Sequence, residues 1–383
     1  MKILRLLTIT VLTVLTACGG TNPHSRDRDN RDLSGVLEDT VKYAKNIDIH
    51  KLESDSSIYI VTVRNPWQEN VAPTRYVIVP RGTSLPSDLP SGKVIRTPIE
   101  NALVYSSVHT GLISDLGAAK AIKGVCNAGF FTDTMIQSRL RSGEIMDCGN
   151  DQAPDIEKII KLHPEIIMLS PFQNNDRYAK VKDLGVTIVE CGDYMETSAL
   201  GQAEWMKFYG LLFGEGEKAR RQFNRIAERY DSLENVASRT SYRPVILMDR
   251  IYGQSWSVPG GKSTISGLIT DAGGKNPFDY LEQSGGVELS PERVLARARN
   301  ADIWLVRYNQ EREKTLEELK NDAPLNGQFK AFREGKVYGC NTRYIPFFDQ
   351  TPFHPDMLLE EFINIFHGSD TTDVTLHYFH RLK

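Results

Sequence analysis

The chain has little net charge, few cysteines and, beyond its first residues, no long apolar run. Its 46 Lys and Arg residues nearly balance its 49 Asp and Glu residues. A balanced charge argues against a nucleic acid as partner, because binding to phosphates draws on an excess of basic side chains. No later apolar run approaches the ~20 residues that a membrane-spanning helix needs. The sequence also lacks a G-x-S-x-G elbow and an H-E-x-x-H pair, which argues against two common classes of hydrolase.

Cysteine is scarce, and the five cysteines form no C-x-x-C pair that would indicate a zinc or redox motif. Apart from Cys18, the thiols are those of Cys126, Cys148, Cys191 and Cys340. Outside the cytoplasm some of these thiols could form disulfides, and their spacing does not say which would pair. Buried free thiols are the alternative, and it is the one that we favour.

Residues 1–18 predict export from the cytoplasm. Lys2 and Arg5 introduce an apolar stretch over residues 6–15, which leads into Leu15-Thr16-Ala17-Cys18. A basic start, a short apolar core and small residues before a cleavage site are typical of a secretory signal. Cys18 preceded by Leu-x-Ala resembles the bacterial lipobox, which implies cleavage before Cys18 and acylation of its thiol. A stretch of about ten apolar residues is too short for a transmembrane anchor.

Residues 19–35 are rich in Gly, Asn, Ser, Arg and Asp and predict a flexible tether. With a lipid on Cys18, we expect a membrane-anchored lipoprotein of the periplasm or cell envelope. The remaining chain is too long for one ordinary core. We divide it into an N-terminal lobe at 36–214, a connecting helix at 215–240 and a C-terminal lobe at 241–383.

The pattern along both lobes predicts an α/β fold. Runs of β-branched and aromatic residues at 58–63 and 76–79 predict two strands that pair as a hairpin. Further on, strand signals such as 166–169 and 303–306 alternate with helical signals such as 291–298. Such alternation implies parallel strands joined by crossover helices. We therefore expect two similar αβ lobes built on parallel-type sheets.

Residues 216–238 differ from either lobe, because their apolar residues recur at steps of four and three. Those steps place one apolar stripe along a single long helix. The stripe consists of Ala219, Phe223, Ile226, Tyr230, Leu233 and Ala237. Such a helix is roughly 35 Å long and could join two lobes. A surface helix packed on one lobe is the alternative.

Short motifs follow one another in a fixed order over residues 100–383. They are Ser106-Ser107-x-His109, Asp115-Leu116-Gly117, residues 159–167, Ala203-Glu204-Trp205, residues 258–263, Asp271-Ala272-Gly273-Gly274 and Gly335-Lys336-Val337-Tyr338. Their order and spacing resemble the substrate-binding proteins of bacterial ABC importers for ferric siderophores, haem and cobalamin. Residues 36–100 are longer than the usual start of that family, so the resemblance assigns them no role.

The resemblance implies two αβ lobes joined by one rigid helix, with a ligand cleft between them. It implies no enzymatic chemistry and no covalently bound cofactor. A monomeric protein of this kind captures a metal chelate, which would be an iron chelate here, and delivers it to an ABC importer permease. The partners would then be the chelate, the permease and the membrane that holds the lipid on Cys18.

Aromatic and basic side chains at or just beyond strand ends are the candidates for ligand contact, because αβ proteins bind ligands at the carboxyl ends of their strands. Aromatic rings can cover the flat faces of a chelate, and arginine binds carboxylates with two hydrogen bonds. The alternative for each is an ordinary core aromatic or surface arginine. The candidates are Phe130, Trp205, Arg250, Tyr252, Trp256, Arg307, Tyr308, Phe347 and Phe348.

His109 is a further candidate, because a histidine there could ligate haem iron or cobalt through a ring nitrogen. A histidine hydrogen-bonded near the start of a helix is the alternative, and no metal site is assigned. Arg250 and Arg307 favour an anionic ferric chelate as the ligand. His109 is consistent with haem as the alternative ligand. Cobalamin would need aromatic contacts more than arginines. The sequence does not decide among the three ligands.

Glu157 and Glu292 each lie in the first turn of a helix, off its apolar stripe. An acidic residue there can simply stabilise the helix dipole. The family resemblance implies a second role, since one such glutamate per lobe docks onto arginines of the permease. An extracytoplasmic enzyme and a surface module that takes ligand from an outer-membrane receptor remain the competing functions.

Overall fold

The computed structural model describes residues 41–66, 71–171, 179–368 and 376–383. The signal, Cys18 and the tether predicted at 19–35 lie outside the described residues, so their roles stay predictions. Within the described ranges, no helix combines the length and the apolar character that crossing a bilayer requires.

A four-stranded sheet, here named the accessory sheet, precedes the parallel sheet of the N-terminal lobe. Its strands are β1 (Ile47–Lys51), β2 (Tyr59–Val63), β3 (Thr74–Pro80) and β4 (Lys93–Thr97). The first three are antiparallel neighbours, and β4 pairs with β3 in parallel. The hairpin predicted at 58–63 and 76–79 is confirmed as β2 and β3. Polar residues interrupt the apolar pattern of β1 and β4, which is why these two strands were not predicted.

The N-terminal lobe is built on a five-stranded parallel sheet with strand order β11-β10-β5-β6-β7. In chain order its elements are β5 (Ala102–Val104), α1 (Ser107–Asp115), β6 (Ile122–Val125), α2 (Thr134–Arg141), β7 (Met146–Asp147), β8 (Gly149–Asn150), β9 (Ala153–Pro154), α3 (Ile156–Leu162), β10 (Ile166–Leu169), α4 (Ala179–Lys182), β11 (Thr187–Glu190), α5 (Ala199–Glu204) and α6 (Met206–Leu212). Every residue of β10 is buried, as expected for a parallel strand that is covered on both faces.

One tyrosine attaches the accessory sheet to this lobe. The Tyr76 hydroxyl on β3 donates to the carbonyl oxygen of Ile188 at 3.1 Å and accepts from the N–H of Glu190 at 2.9 Å. Both backbone groups belong to β11, the edge strand of the parallel sheet. The Tyr76 hydroxyl thereby satisfies two backbone groups on this edge of the parallel sheet.

Two buried carboxylates hold the chain just before β1. Glu204 is fully buried and accepts hydrogen bonds from the backbone N–H groups of residues 42–44, and the ammonium group of Lys207 lies 2.7 Å from it. Glu196 does the same for the N–H groups of Lys45 and Asn46. The residues that lead into the accessory sheet are therefore fixed to the N-terminal lobe.

The long helix predicted between the lobes is confirmed as α7 (Gly216–Ser238), which has 23 residues. Its buried residues include Ala219, Phe223, Ile226, Tyr230 and Ala237, the predicted stripe apart from the half-buried Leu233. At 1.5 Å per residue the helix is roughly 35 Å long.

The C-terminal lobe carries a four-stranded sheet with order β12-β16-β17-β18, in which only β18 is antiparallel. A second sheet, β13-β14-β15, is antiparallel. In chain order the elements are β12 (Ile246–Met248), β13 (Ile251–Tyr252), β14 (Ser255–Pro259), α8 (Thr264–Asp271), β15 (Gly286–Leu289), α9 (Pro291–Ala298), β16 (Ile303–Tyr308), α10 (Leu316–Asp322), α11 (Lys330–Arg333), β17 (Val337–Asn341), α12 (Phe347–Gln350), α13 (Pro355–His367) and β18 (His380–Arg381).

One continuous apolar core runs through both lobes. It contains Phe208 and Tyr209 from α6, Phe223 from α7, and Phe353 and Phe362 from the C-terminal lobe. The long helix packs against α6 on one side and α13 on the other. The two lobes are therefore held together by helix packing as well as by the chain connection, and the α/β, two-lobe fold class is confirmed.

Candidate functional site

The carboxyl ends of strands from both lobes border one cavity of about 170 Å³. On the N-lobe side it is lined by α1, which follows β5, and by residues 131–133, which follow β6. On the C-lobe side it is lined by Tyr344, Pro346 and two residues of α12, all of which follow β17. Parallel αβ sheets present their ligand sites at this edge.

Asp349 of α12 connects the two sides of the cavity. Its carboxylate accepts a hydrogen bond from the Ser107 hydroxyl at the start of α1 and another, at 3.2 Å, from the Thr132 hydroxyl. A second polar contact between the lobes joins His354 to Asp115, with Nε2 and Oδ2 3.2 Å apart. A β-carbon added to Gly111 would lie 3.3 Å from the carbonyl oxygen of Asp349, so α1 and α12 approach closely here.

Two non-glycine residues with positive φ turn the chain at the strand ends. Asn127 (φ 58°) comes just after β6, and Asp249 (φ 62°) comes just after β12. The indole N–H of Trp304 donates to the carbonyl oxygen of Asp249 at 2.6 Å, and that of Trp256 donates to Met248 at 2.9 Å. Among residues with a side chain, Asn and Asp tolerate this left-handed backbone best, so these two suit tight turns at strand ends.

The turn at Asp249 presents its carboxylate to Arg307. The Arg307 guanidinium donates two hydrogen bonds to Asp249, at 2.7 and 2.6 Å, and lies 5.3 and 5.1 Å from the ring centres of Phe347 and Phe348. Burial alone would lower the pKa of Arg307, but the charge and hydrogen bonds of Asp249 outweigh burial and raise it. Arg307 is therefore a permanent cation whose charge is matched by Asp249.

Exposed aromatic side chains surround this edge of the fold. Their exposed fractions are 76% for Phe130, 82% for Tyr252, 59% for Tyr344 and 51% for Phe348. Phe130 follows β6, Tyr252 lies in the hairpin after β12, and the other two follow β17. We use the word cleft for the cavity together with these four aromatics. Tyr344 was not predicted, although its position after the strand at 336–339 could have identified it.

Four aromatic candidates prove to be core residues, which corrects the prediction that they contact a ligand. The exposed fractions are 0% for Trp205 and Trp256, 3% for Tyr308 and 1% for Phe347. Trp205 donates from its indole N–H to buried Glu196 at 3.0 Å, and Trp256 stacks on Trp304 with ring centres 5.6 Å apart. These side chains present no face to the cleft because they support its strands from within.

His109 is also buried, with 3% of its surface exposed. Its Nε2 lies 2.9 Å from Oδ1 of Asp193, which also accepts a hydrogen bond from the Tyr209 hydroxyl at 2.7 Å. Burial raises the pKa of Asp193, but His109 and Tyr209 more than reverse that effect, so the pKa is lowered. The structure thus corrects the haem-ligand hypothesis, because the histidine is enclosed with a carboxylate partner.

Arg250 lies at the carboxyl edge of β12, as predicted, but it is not free. Its guanidinium lies 3.7 Å from Asp322 and donates to the carbonyl oxygen of Ile251 at 3.3 Å. Lys314 shares Asp322, with its ammonium group 3.0 Å from the carboxylate. Within the described part of the chain, no group of three or more His, Cys, Asp or Glu residues is placed to hold a metal ion.

Glu157 and Glu292 are both exposed in the first turns of α3 and α9. Other side chains cap these helices: Asp155 accepts from the N–H of Lys158 at 3.1 Å, and Ser290 accepts from the N–H of Arg293 at 3.4 Å. Each helix precedes a parallel strand of its lobe, so each begins at the carboxyl edge that borders the cleft. The two glutamates are thus presented to solvent at corresponding positions.

The cysteine alternatives are resolved in favour of free thiols: Cys126, Cys148, Cys191 and Cys340 are all unpaired and buried. Burial raises the pKa of Cys126 and Cys340 to about 12 and that of Cys148 to about 11. Thiols with such pKa values are almost fully protonated at neutral pH and are poor nucleophiles.

Comparison with known proteins agrees with this architecture. A periplasmic haem-binding protein of Pseudomonas aeruginosa has a similar structure, with TM-score 0.58, 14% identity, and coverage of 74% of this chain and 98% of that chain. A possible iron-binding, periplasmic solute-binding protein of Staphylococcus epidermidis gives TM-score 0.55 at 16% identity, covering 71% of this chain and 100% of that chain. These identities show the shared fold alone.

Sequence comparison extends over more of the chain. An uncharacterised lipoprotein of Methanocaldococcus jannaschii is 25% identical over 360 residues, covering 87% of this chain and 85% of that protein. Residues 104–344 match the family described as periplasmic binding protein. That match takes in both lobes and the long helix and exceeds half of the chain, so this protein belongs to the periplasmic binding protein family.

Proposed function

We propose that this protein is a lipid-anchored solute-binding protein that captures an iron chelate in the cleft and delivers it to an ABC importer permease. The observation that carries the proposal is a cavity where the carboxyl edges of both lobes meet, lined by the exposed Tyr344, with three more exposed aromatics, Phe130, Tyr252 and Phe348, after strands at the same edge. Exposed aromatic rings in a concave site offer a large apolar surface to a flat or bulky ligand. A corrinoid is the alternative cargo within the same proposal.

The other parts of the proposal come from the sequence and from the relatives. Cys18 would carry the lipid, as its lipobox-like context predicts, and the relative from M. jannaschii is named a lipoprotein. Glu157 and Glu292 would dock onto the permease, since both are exposed and neither needs its carboxylate to cap its helix. Membership of a solute-binding family favours transport over the competing enzyme hypothesis.

A binding titration tests the proposal. The full-length protein, kept in detergent, is titrated with a ferric siderophore, haemin and cyanocobalamin, and quenching of tryptophan fluorescence is recorded. We expect saturable quenching by one class at sub-micromolar concentration. If none of the three ligands quenches the fluorescence saturably, the proposal is contradicted.

Single variants locate the site. Loss of one stacking ring should weaken binding about three- to tenfold, the effect expected of an aromatic contact. Tyr344→Ala and Phe348→Ala should each show this effect. Tyr242→Ala is the matched control, because Tyr242 is similarly exposed (54%) but precedes β12 and so lies at the opposite edge of the sheet. Equal effects of all three variants would remove the cleft as the binding site.

A further inference from the structure

The charges around the cleft indicate which class of chelate it accepts, given that the proposed function holds. We infer that the ligand is electrically neutral or cationic and carries a broad apolar face. This inference replaces the preference for an anionic chelate, which rested on Arg250 and Arg307 as free cations.

The basic side chains near the cleft are already matched by acids. Arg307 holds Asp249 with two hydrogen bonds. Arg250 and Lys314 share Asp322 at 3.7 and 3.0 Å. An anionic ligand would have to displace one of these carboxylates, and the displaced carboxylate would then lie unpaired in a partly buried place.

Arg343, in the turn after β17, follows the same pattern, with its guanidinium 3.9 Å from Glu311. That pair is largely exposed and weak. The Glu311 carboxylate still offsets the positive charge of Arg343 on this turn.

The lining of the cavity itself is acidic. Asp115, Asp133 and Asp349 line it, and none of its described lining residues is Lys or Arg. The Asp349 carboxylate is bound by the hydroxyls of Ser107 and Thr132, and Asp133 accepts from the N–H of Ile136 at 2.8 Å. Hydroxyl and amide donors leave the negative charge of a carboxylate in place.

His354 lies against one of these acids, with its Nε2 3.2 Å from Oδ2 of Asp115. The hydrogen bonds that Asp133 and Asp349 accept come from hydroxyl and backbone N–H donors, which carry no compensating positive charge. Both lie within a Debye length of a ligand in the cavity, so an anion there meets unscreened repulsion.

The apolar part of the inference comes from the aromatics. Phe348 stacks on the Arg307 guanidinium with one face and is still 51% exposed. Tyr344 lines the cavity and is 59% exposed. These rings flank an acidic cavity, a combination that suits a neutral hydroxamate-type ferric chelate or a corrinoid better than a chelate with free carboxylates.

A set of ligands that share one ferric core and differ in the charge of a pendant group tests this inference. Ferrioxamine B carries one positive charge on its pendant amine; its N-acetyl derivative is neutral, and its N-succinyl derivative carries one negative charge. Each is titrated against the full-length protein in detergent at low ionic strength, beside haemin and cyanocobalamin. We expect the cationic and neutral forms to bind at least tenfold more tightly than the anionic form.

The acids are tested with the double variant Asp115→Asn and Asp133→Asn, in which asparagine can still cap α2. The ratio between the affinities for the cationic and anionic forms should fall at least threefold. The matched control is Glu53→Gln with Glu228→Gln, two exposed acids on the accessory sheet side and the long helix, for which the ratio should not change.

The outcomes separate the inference from the proposed function. If the anionic form or haemin binds as tightly as the neutral ligands, the inference is wrong and the proposed function stands. If the ratio is the same in the Asp115/Asp133 variant, these carboxylates do not set the selectivity and the inference is also overturned. If none of the five ligands binds, both the inference and the proposed function fail.

Discussion

Ser107 in the N-terminal lobe donates a hydrogen bond to Asp349 in the C-terminal lobe, directly across the cavity. Asp349 is one of three consecutive residues of α12 that have different roles. Phe347 is buried against Arg307, Phe348 is exposed in the cleft, and Asp349 binds the opposite lobe. The position of the exposed ring is thus coupled to the contact between the lobes.

Replacing Asp349 should loosen that contact. In Asp349→Ala the hydroxyls of Ser107 and Thr132 lose a charged acceptor, which we expect to cost about 1–2 kcal/mol of unfolding free energy. Amide hydrogen exchange should accelerate in α12 and at the start of α1, as measured by mass spectrometry. Ser107→Ala is the milder control, because the carboxylate keeps Thr132. Unchanged exchange in both variants would show that helix packing alone fixes the lobes.

Replacing His109 should destabilise the fold. In His109→Gln, Asp193 stays buried without its main partner, and breaking a buried pair in this way costs roughly 3 kcal/mol. Urea denaturation at pH 7 measures the loss. The double variant His109→Gln, Asp193→Asn removes the buried charge and should recover part of it. A large loss of ligand affinity with unchanged stability would restore His109 as a ligand contact.

The same variant has a predictable dependence on pH. The pKa of Asp193 is lower in the folded protein than the ordinary value of about 3.9 in the unfolded chain. The stability contributed by its ionised form is therefore present above pH ~4 and is lost as the pH falls through the folded-state pKa. The difference in unfolding free energy between wild type and His109→Gln should shrink below pH ~4. A difference that grows on acidification would contradict this assignment.

Removing the two exposed glutamates should separate transport from binding. We expect the double variant Glu157→Ala, Glu292→Ala to abolish uptake of the chelate into cells while the ligand affinity of the protein stays unchanged. Uptake of labelled ligand and the fluorescence titration measure the two properties. Glu53→Ala with Glu228→Ala removes the same charge elsewhere and should leave uptake intact. Normal uptake by the Glu157/Glu292 variant would exclude these residues as the docking contacts.

The buried thiols should be unreactive until the protein unfolds. With Cys18 replaced by Ser, the remaining cysteines are all buried, and pKa values of about 11 to 12 leave a very small thiolate fraction at pH 8. Ellman's reagent should detect almost no thiol in the native protein and the full set in guanidinium chloride. Rapid reaction of the native protein would show that at least one of these sites opens readily.

Glu204 should control the segment before the accessory sheet. Glu204→Ala removes the acceptor of the N–H groups at residues 42–44 and the carboxylate that lies 2.7 Å from the Lys207 ammonium group. Trypsin should then cleave the native protein faster at Lys42 and Lys45 than it cleaves wild type. Glu217→Ala, on an exposed turn of α7, is the control. Equal cleavage rates would mean that Glu196 alone retains the segment.

The sequence by itself determined the main helices and strands and the α/β fold class. The 3.6-residue period of 216–238 fixes one face of α7 whatever surrounds it, and runs such as 166–169 have the composition of strands buried on both faces. The order of the motifs was enough to identify the two-lobe family. Exposure of Glu157 and Glu292 also followed from helix geometry, since both lie off their apolar stripes.

Only the tertiary structure decided which candidates reach the cleft. Arg307 and Asp249 are 58 residues apart, and their pairing depends on β12 and β16 being neighbours in one sheet. Tyr252 and Trp256 are both aromatic residues that closely follow the same predicted strand. The β13–β14 hairpin places Trp256 in the core and leaves Tyr252 exposed. Side-chain orientation at strand ends depends on backbone turns such as the left-handed Asp249, and long-range packing sets those turns. The sequence therefore predicted which strand ends carry the candidate residues, whereas the charge of the cleft and the exposure of its aromatics came from the folded structure.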